Sequence, residues 1–370
     1  MNFLIISHTS HVYYDSHYYA YGPYVKEMNL WLKYVDKVEI VAPRQIDAPS
    51  LIMLPYKNGD IRFSEIPSIS LNSNIEIIKT FINLPRIFYS LFRAMNRADH
   101  IHLRCPGNIG LLGCIAQIFF PKKKKTAKYA GNWDPNAKQP WSYRLQKWIL
   151  SNTFLTRNIK VLVYGDWPDQ STNIQPFFTA SYSEEKIAEI PAKNDNDSLR
   201  FVFVGTLSIG KRPLYALQVV EQFLKIGIDC RLDFYGEGAQ RKPLEKYIVE
   251  NSLSKYVTLH GNQSATVVEA ASKKSHFLIL ASKSEGWPKV VAEAMFWGVV
   301  PLATPISCIP SMLDYGNRGI LLSLDLKEDV KKLRDLLNDK HRLAKMKVEA
   351  GDWSHQFTLE SFETEIKKIV

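Results

Sequence analysis

Two glutamates stand where chemistry is possible. Glu285 and Glu293 frame the stretch Ser282-Lys-Ser-Glu-Gly-Trp-Pro-Lys-Val-Val-Ala-Glu-Ala-Met-Phe-Trp-Gly-Val-Val-Pro-Leu-Ala-Thr304. By itself such a pair is ordinary: one Glu belongs to a loop and the other completes the first turns of a helix. Its weight comes from what surrounds it. His276-Phe-Leu-Ile-Leu280 is an apolar run suited to a fully buried strand, and a polar loop follows. Pro288 suits a first helical turn, Val291, Ala294 and Met295 recur at helical spacing, and Gly298 is a stop signal before a second apolar run, Val299 to Ala303. Glu285 and Gly286 are therefore expected at the C-terminal edge of a parallel sheet, against a helix N-terminus. Open α/β sheets bind ligands there, and free N–H groups with the helix dipole attract phosphate.

The elements before this stretch repeat the arrangement. Phe201-Val-Phe-Val204 runs into Gly205-Thr-Leu-Ser-Ile-Gly-Lys211-Arg-Pro213, and Pro213 opens a helix with Leu214, Leu217, Val220 and Leu224 on one side. Leu232 to Tyr235 ends at Gly236-Glu-Gly238, and Val257 to Leu259 ends at His260-Gly261. One glycine loop is ordinary turn chemistry. Four in succession form a rim where backbone N–H groups can approach a ligand closely.

The first half alternates in the same way. Phe3 to Ser7 is a strand, followed by a polar loop rich in His and Tyr (His8, His11, Tyr13, Tyr14, His17, Tyr18, Tyr19). Gly22-Pro23 opens a helix with Tyr24, Met28 and Trp31 on one face, and Val38 to Val41 is the next strand. Ile75 to Met95 is helical, His100 to Arg104 and Thr126 to Ala130 are strands around the apolar helix Gly110 to Phe120, Trp141 to Phe154 is an amphipathic helix, and Lys160 to Tyr164 is a strand. The chain is thus expected to be α/β, with two Rossmann-like, doubly wound parallel sheets. Residues 1–183 are the first domain, the polar stretch 184–199 a linker, and 200–350 the second domain. Residues 351–370 are a C-terminal helix, with Phe357, Leu359, Phe362 and Ile366 at roughly helical spacing.

Bulk properties narrow the class. A chain of 370 residues is long enough for two domains, and 46% hydrophobic with 23% charged residues is globular composition. Cys105, Cys114, Cys230 and Cys308 lack C-x-x-C spacing and read as buried thiols of a reducing compartment. The first residues read as a strand rather than a signal peptide, and Ile109 to Phe120 is too short to span a bilayer, so a soluble, cytoplasmic protein is expected. Residues 1–183 hold 21 Lys/Arg against 12 Asp/Glu, whereas 184–370 hold 26 against 25, which points to an anionic partner for the first half. No G-x-G-x-x-G follows the first strand, against a nicotinamide or flavin enzyme. The three histidines of the first loop have no helical H-x-x-x-H spacing and only Asp15 nearby, so a polar cleft lining is favoured over a metal site.

The frame Ser-x-Ser-Glu-Gly-Trp-Pro, Glu293-Ala-Met and Gly298-x-x-Pro301 resembles the E-x7-E element of the retaining glycosyltransferases of group 1, or family 4. The resemblance covers the second half well and the first half in outline. It implies the glycosyltransferase B fold, two Rossmann-like domains facing across a cleft, with the last helix crossing back to the first domain. It implies a nucleotide sugar held mainly by the second domain and transferred to a glycan acceptor, lipid-linked or of a cell-surface polysaccharide. Lys211 matches the family's diphosphate lysine, and Glu285 with Ser284 and the backbone of Gly286, Trp287 and Pro288 would hold the donor sugar. Lys211 and Glu285 are the expected catalytic pair, with Gly205, Thr206, Arg212 and Gly236 lining the donor loop and Glu293 on the ribose hydroxyls. Thr206 stands where the family usually has Arg, and Arg212 or Arg104 is the substitute. A helix N-terminus plus Lys211 would neutralise a diphosphate without Mg²⁺, so no metal or other cofactor is expected. The family's acceptor-side His has no counterpart in Lys128-Tyr-Ala-Gly-Asn-Trp-Asp134. Gly22, His8, His11, Arg104, Asn132 and Asp134 are the remaining cleft-lining candidates.

Pro121-Lys-Lys-Lys-Lys-Thr-Ala-Lys128, with the aromatic and basic residues of Phe81 to Arg97, suits contact with an anionic membrane face; a core helix and a solvated lysine turn is the competing reading. Nucleic acid ranks low, because no binding motif is present. Two other functions share the architecture: a nucleotide-sugar 2-epimerase, and a non-catalytic nucleotide-sugar-binding partner subunit.

Overall fold

The computed structural model describes residues 1–69, 73–188 and 198–370. The chain divides into two compact units, Met1–Phe178 with Phe362–Val370, and Thr179–Ser361. Each is a parallel sheet between helices. The first sheet runs in the order Ile174–Phe177, Ile159–Tyr164, Lys124–Tyr129, His100–Cys105, Asn2–Ile6, Lys37–Ala42, Ile61–Glu65. The second runs Val257–Leu259, Cys230–Tyr235, Leu199–Val204, Phe277–Leu280, Val300–Ala303, Ile320–Leu321. Neighbouring strands are parallel throughout both. Among the described residues, no helix is long and apolar enough to cross a membrane.

Burial on both faces explains why Phe277–Leu280 and Val300–Ala303 are apolar runs, whereas His100–Cys105 and Lys124–Tyr129 are as deeply buried and still carry His100, His102, Lys125 and Lys128. Phe201 and Phe203 pack with Leu217, Val220 and Phe223 on one side of the second sheet. Val202 points the other way, into a cluster with Leu280, Val291, Met295 and Ile309. In the first unit, Leu4 and Ile6 join Ile87, Leu91 and Met95, whereas the ring of Phe3 lies against Trp31 and His102.

Three expectations change. The His- and Tyr-rich loop is an antiparallel hairpin, His11–Tyr14 with His17–Tyr21, part of a separate four-stranded sheet. Aromatic side chains favour strands, and Asp15 and Ser16 supply the two positive φ values, 46° and 61°, of a tight hairpin turn. The helix Asn74–Arg97 buries Ile87, Leu91, Ala94 and Met95 in the core, so its second half is not a membrane-facing surface. Its first turns do expose Ile75, Ile78, Phe81 and Ile82. The tail is two helices, Lys340–Ser354 and Leu359–Lys367, because the Thr358 hydroxyl accepts the Ser361 N–H and starts a new one. The units part at Phe178, ahead of the polar stretch 184–199, of which residues 189–197 lie outside the described part.

Candidate functional site

In the second unit, the strand ends converge on one sheet rim. Gly205 N–H donates to Tyr235 O (2.9 Å), Gly236 N–H to Gly261 O (2.8 Å) and Leu207 N–H to Glu237 O (2.9 Å), lacing the successive glycine loops together. Gly236 must be glycine. Its φ is 141°, and a Cβ there would lie 2.0 Å from Gly205 O. Gly205 faces open space, with no heavy atom within 4 Å of a built Cβ.

Lys211 ends a short 3₁₀ turn, Ile209–Lys211, and Arg212 adopts a left-handed conformation (φ 48°) before Pro213 starts the next helix. The Lys211 ammonium donates to Glu285 Oε1 in a direct ion pair. Lys283 N–H donates to Gly210 O (2.8 Å), and Arg212 Nη1 donates to Ala281 O (3.0 Å). The structure thus brings together Lys211, Arg212 and Glu285 on two loops tied by backbone, with Ser284 exposed beside them. The Arg212 guanidinium is anchored to that carbonyl by one N–H and keeps further donors.

Around Gly286 the loop is braced from below. Its carbonyl accepts Ser307 Oγ (3.0 Å) and Cys308 Sγ (3.4 Å). Burial pushes the Cys308 thiol up to about 12, which leaves it a donor and no nucleophile. Trp287 stacks on Trp353 (6.0 Å) and meets Phe357 edge-on (5.4 Å). Pro288 caps the helix Lys289–Phe296. Lys289 N–H and Val291 N–H turn back on the carbonyls of Trp287 and Pro288 (both 2.8 Å), so two N–H groups expected to face a phosphate are already engaged.

Glu293 keeps different company. It accepts the Ser181 hydroxyl and, with Thr179, Tyr182, Lys289, Phe296, Ser354 and Phe357, lines a cleft of only about 10 Å³. The Ser181 hydroxyl thus occupies Glu293 Oε1 on this side. Burial raises the Tyr182 phenol, and the Glu293 carboxylate adds to that shift.

In the first unit, Arg104 lies at the end of a strand beside the Glu27 carboxylate (3.6 Å), with its guanidinium 5.3 Å from the Tyr24 ring centre. Exposed His8 sits against Gly107, whose Cβ would be 2.9 Å from His8 Nδ1. Desolvation, and then the charge of Arg104, hold the His8 imidazole below its ordinary pKa.

Other first-unit candidates have structural tasks. His11 is fully buried, with Nδ1 on Thr9 O (2.8 Å) and Nε2 on Tyr56 Oη (2.9 Å), so it cannot line a cleft. Gly22 is packed where a Cβ would meet Ile52 O at 2.8 Å. Asn132 accepts Asp134 N–H (2.9 Å), and Asp134 accepts Asn136 N–H (2.8 Å), which makes both loop-turn formers. Among the described residues, no three His, Cys, Asp or Glu side chains gather as for a metal ion.

The sequence reading missed Ser307, Cys308, Ser181 and Glu27. Glu27 left a signal, standing on the apolar stripe of Tyr24, Met28 and Trp31, where a charge needs a partner. The others act through single hydrogen bonds to distant segments and leave none.

Residues 183–353 match the model of the family described as glycosyl transferases group 1. An uncharacterized glycosyltransferase of Methanocaldococcus jannaschii is 27% identical over 143 residues, 38% of this chain and 40% of that protein. The chain therefore aligns with well under half the length of this curated relative. Among solved structures, a lipopolysaccharide outer core galactosyltransferase, WaaB, in its apo form matches with a TM-score of 0.71 at 14% identity, covering 100% of this chain and 99% of that one. HepE of Anabaena in complex with UDP and glucose matches with a TM-score of 0.70 at 13% identity, covering 100% and 98%. At such identities the structures speak for the fold. The chain has the two Rossmann-like domains of the glycosyltransferase B type, and residues 183–353 of its second half carry the likeness to glycosyl transferases group 1.

Proposed function

We propose that the chain is a retaining, metal-independent glycosyltransferase of family 4 that moves a sugar from a nucleotide donor to a glycan acceptor. The observation that carries this reading is the Lys211–Glu285 pair, set on two glycine-edged loops held together by the Lys283 N–H on Gly210 O. The family match of residues 183–353 and the UDP and glucose named with the Anabaena structure support a nucleotide-sugar donor.

Breaking a sugar–diphosphate bond leaves negative charge on the departing phosphate and positive charge on the anomeric carbon. A cation fixed beside the phosphate lowers the energy of that state. Lys211 takes this role, and Glu285 both aims its ammonium and offers a carboxylate oxygen to sugar hydroxyls. The Gly286 carbonyl, pinned by Ser307 and Cys308, fixes the backbone that the sugar would touch. Glu293 accepts from ribose hydroxyls once Ser181 releases it. Arg104, paired with Glu27, and His8 are the first-unit groups left for the acceptor. The acceptor is a lipid-linked or surface glycan, and the exposed Ile75, Ile78, Phe81 and Ile82 with the exposed Lys122 and Lys124 support contact with an anionic membrane face.

A screen of nucleotide sugars reading released nucleoside diphosphate tests the assignment. Release that rises when a glycan acceptor is added is the expected result. Conversion of donor alone to an epimeric sugar would replace transfer with epimerisation, and tight diphosphate binding with no turnover across acceptors would leave a binding subunit.

A further inference from the structure

At the edge of the first sheet opposite its strand C-termini lies a cavity of about 500 Å³, a volume usual for a small-molecule site. It is formed where the strands Lys124–Tyr129, Ile159–Tyr164 and Ile174–Phe177 begin. Five cations line it: Lys122, Lys124, Lys125, Arg157 and Lys160. Thr153, Thr156, Asn158, Thr172 and Asn173 complete the polar wall, and no acidic side chain among the described residues takes part. Arg104 lies at the other end of the neighbouring strand His100–Cys105, and His8 follows the strand beyond it, Asn2–Ile6, so this is not the acceptor-side corner.

The cations are poorly neutralised. Lys125 is buried, with carbonyl partners only, Phe120 O (2.9 Å) and Gln117 O (3.4 Å). Burial without a counter-charge lowers its ammonium to about 8. Lys124 reaches a backbone oxygen of Val370, the last residue of the sequence, and Lys160 reaches the Lys368 carbonyl (3.4 Å). Lys122 and Arg157 are exposed, and neither forms an ion pair within the described residues. The Asn158 amide donates to Pro121 O (2.9 Å), which fixes the turns bearing Lys122 and Arg157 side by side. Like charges gathered in one concavity repel one another, and an anion seated there relieves that repulsion.

We propose that this cavity binds a phosphate-bearing ligand of at least two negative charges. Oxygen acceptors suit the ammonium groups and the planar guanidinium, and the threonine and asparagine side chains add neutral donors. The same chemistry reaches the cavity as a free phosphorylated molecule or as a lipid headgroup. Phe154, exposed at 72%, follows the lining residue Thr153, and the Arg157 guanidinium lies 4.9 Å from its ring centre.

The test uses the full chain carrying Lys211→Ala, so that the donor loop does not contribute. Pyrophosphate is titrated calorimetrically at low salt, and sedimentation is measured with phosphatidylcholine vesicles with and without phosphatidic acid. The comparison variant adds Lys122→Ala and Arg157→Ala, both exposed and compatible with folding. A control adds Lys57→Ala and Lys138→Ala, which remove the same charge from exposed sites elsewhere. At least about tenfold weaker binding of one probe in the cavity variant, and not in the control, is expected. Loss confined to pyrophosphate identifies a free ligand, and loss extending to the phosphatidic acid vesicles identifies a headgroup. The proposal is overturned if neither probe loses affinity in the cavity variant, or if the control loses as much.

Discussion

Replacing Lys211 by alanine separates a catalytic cation from a structural one. The Lys211 and Glu285 side chains are 28% and 11% exposed, so water screens their attraction in part. Pairs in such settings contribute about 1 kcal/mol or less to folding. For a domain the size of the second unit, that corresponds to roughly 2–4 °C in melting temperature. If the same ammonium neutralises the departing phosphate, its loss costs about 3 kcal/mol in the transition state, a little over a hundredfold in turnover. The assay is nucleoside diphosphate release at saturating donor, alongside thermal unfolding of both proteins. The expected pattern is turnover down about a hundredfold with a small melting shift, and Glu285→Gln falling in the same direction while keeping its size. Turnover within about threefold of wild type would refute the reasoning. So would a fall in melting temperature well beyond what a screened pair can supply, since the lysine would then hold the loops rather than the reaction.

Glu293→Ala should weaken nucleoside diphosphate binding about tenfold, whereas Ser181→Ala, which frees the same carboxylate, should leave it equal or tighter; calorimetry distinguishes them. Gly236→Ala should destabilise the chain by about 3 kcal/mol or more in urea unfolding, because its methyl group would meet Gly205 O. Gly205→Ala, which meets only its own backbone strain, should cost about half that or less. Stability should also fall in acid. His11 and His100 are held neutral by burial at about 4, against 6.5 for a free imidazole, so the unfolded chain takes up their protons first. Their contribution is complete above pH 6.5 and is lost as pH falls toward 4, by about 2 kcal/mol each at pH 5. A flat unfolding free energy between pH 6.5 and 5 would contradict this.

The sequence showed the central strands clearly, passed over the edge strands Ile61–Glu65, Ile174–Phe177 and Ile320–Leu321, and showed the site only in part. A strand buried on both faces favours apolar residues along its length, so Phe277 to Leu280 and Val300 to Ala303 announce themselves, whereas Lys124–Tyr129 buries Lys125 and Lys128 and is harder to read. The glycine loops were equally legible, because close backbone approach leaves few alternatives at Gly236. The hairpin of His11–Tyr21 was hidden, since its polar aromatic residues suit a loop as well as a small sheet. The family frame named Lys211 and Glu285 separately, one for the diphosphate and one for the sugar, and their direct ion pair left no signal in the sequence. The clasp of Ser181 on Glu293, 112 positions away, has no periodicity to betray it. Neither has the bracing of Gly286 by Ser307 and Cys308. His11 was misjudged because a histidine in a polar string looks exposed, and only the fold reveals Tyr56 and Thr9 around it.

The final helix, Leu359–Lys367, begins with the second unit and ends in the first, where Phe362, Ile366 and Ile369 are buried. The rings of Phe177 and Phe178 lie 5.4 and 5.7 Å from that of Phe362. The first unit is therefore discontinuous in the gene, and anyone recombining halves of related chains must respect it. A hybrid spliced only near Phe178 would graft a foreign closing segment onto the parent core. One that also returns the last nine residues to their own parent preserves those aromatic contacts.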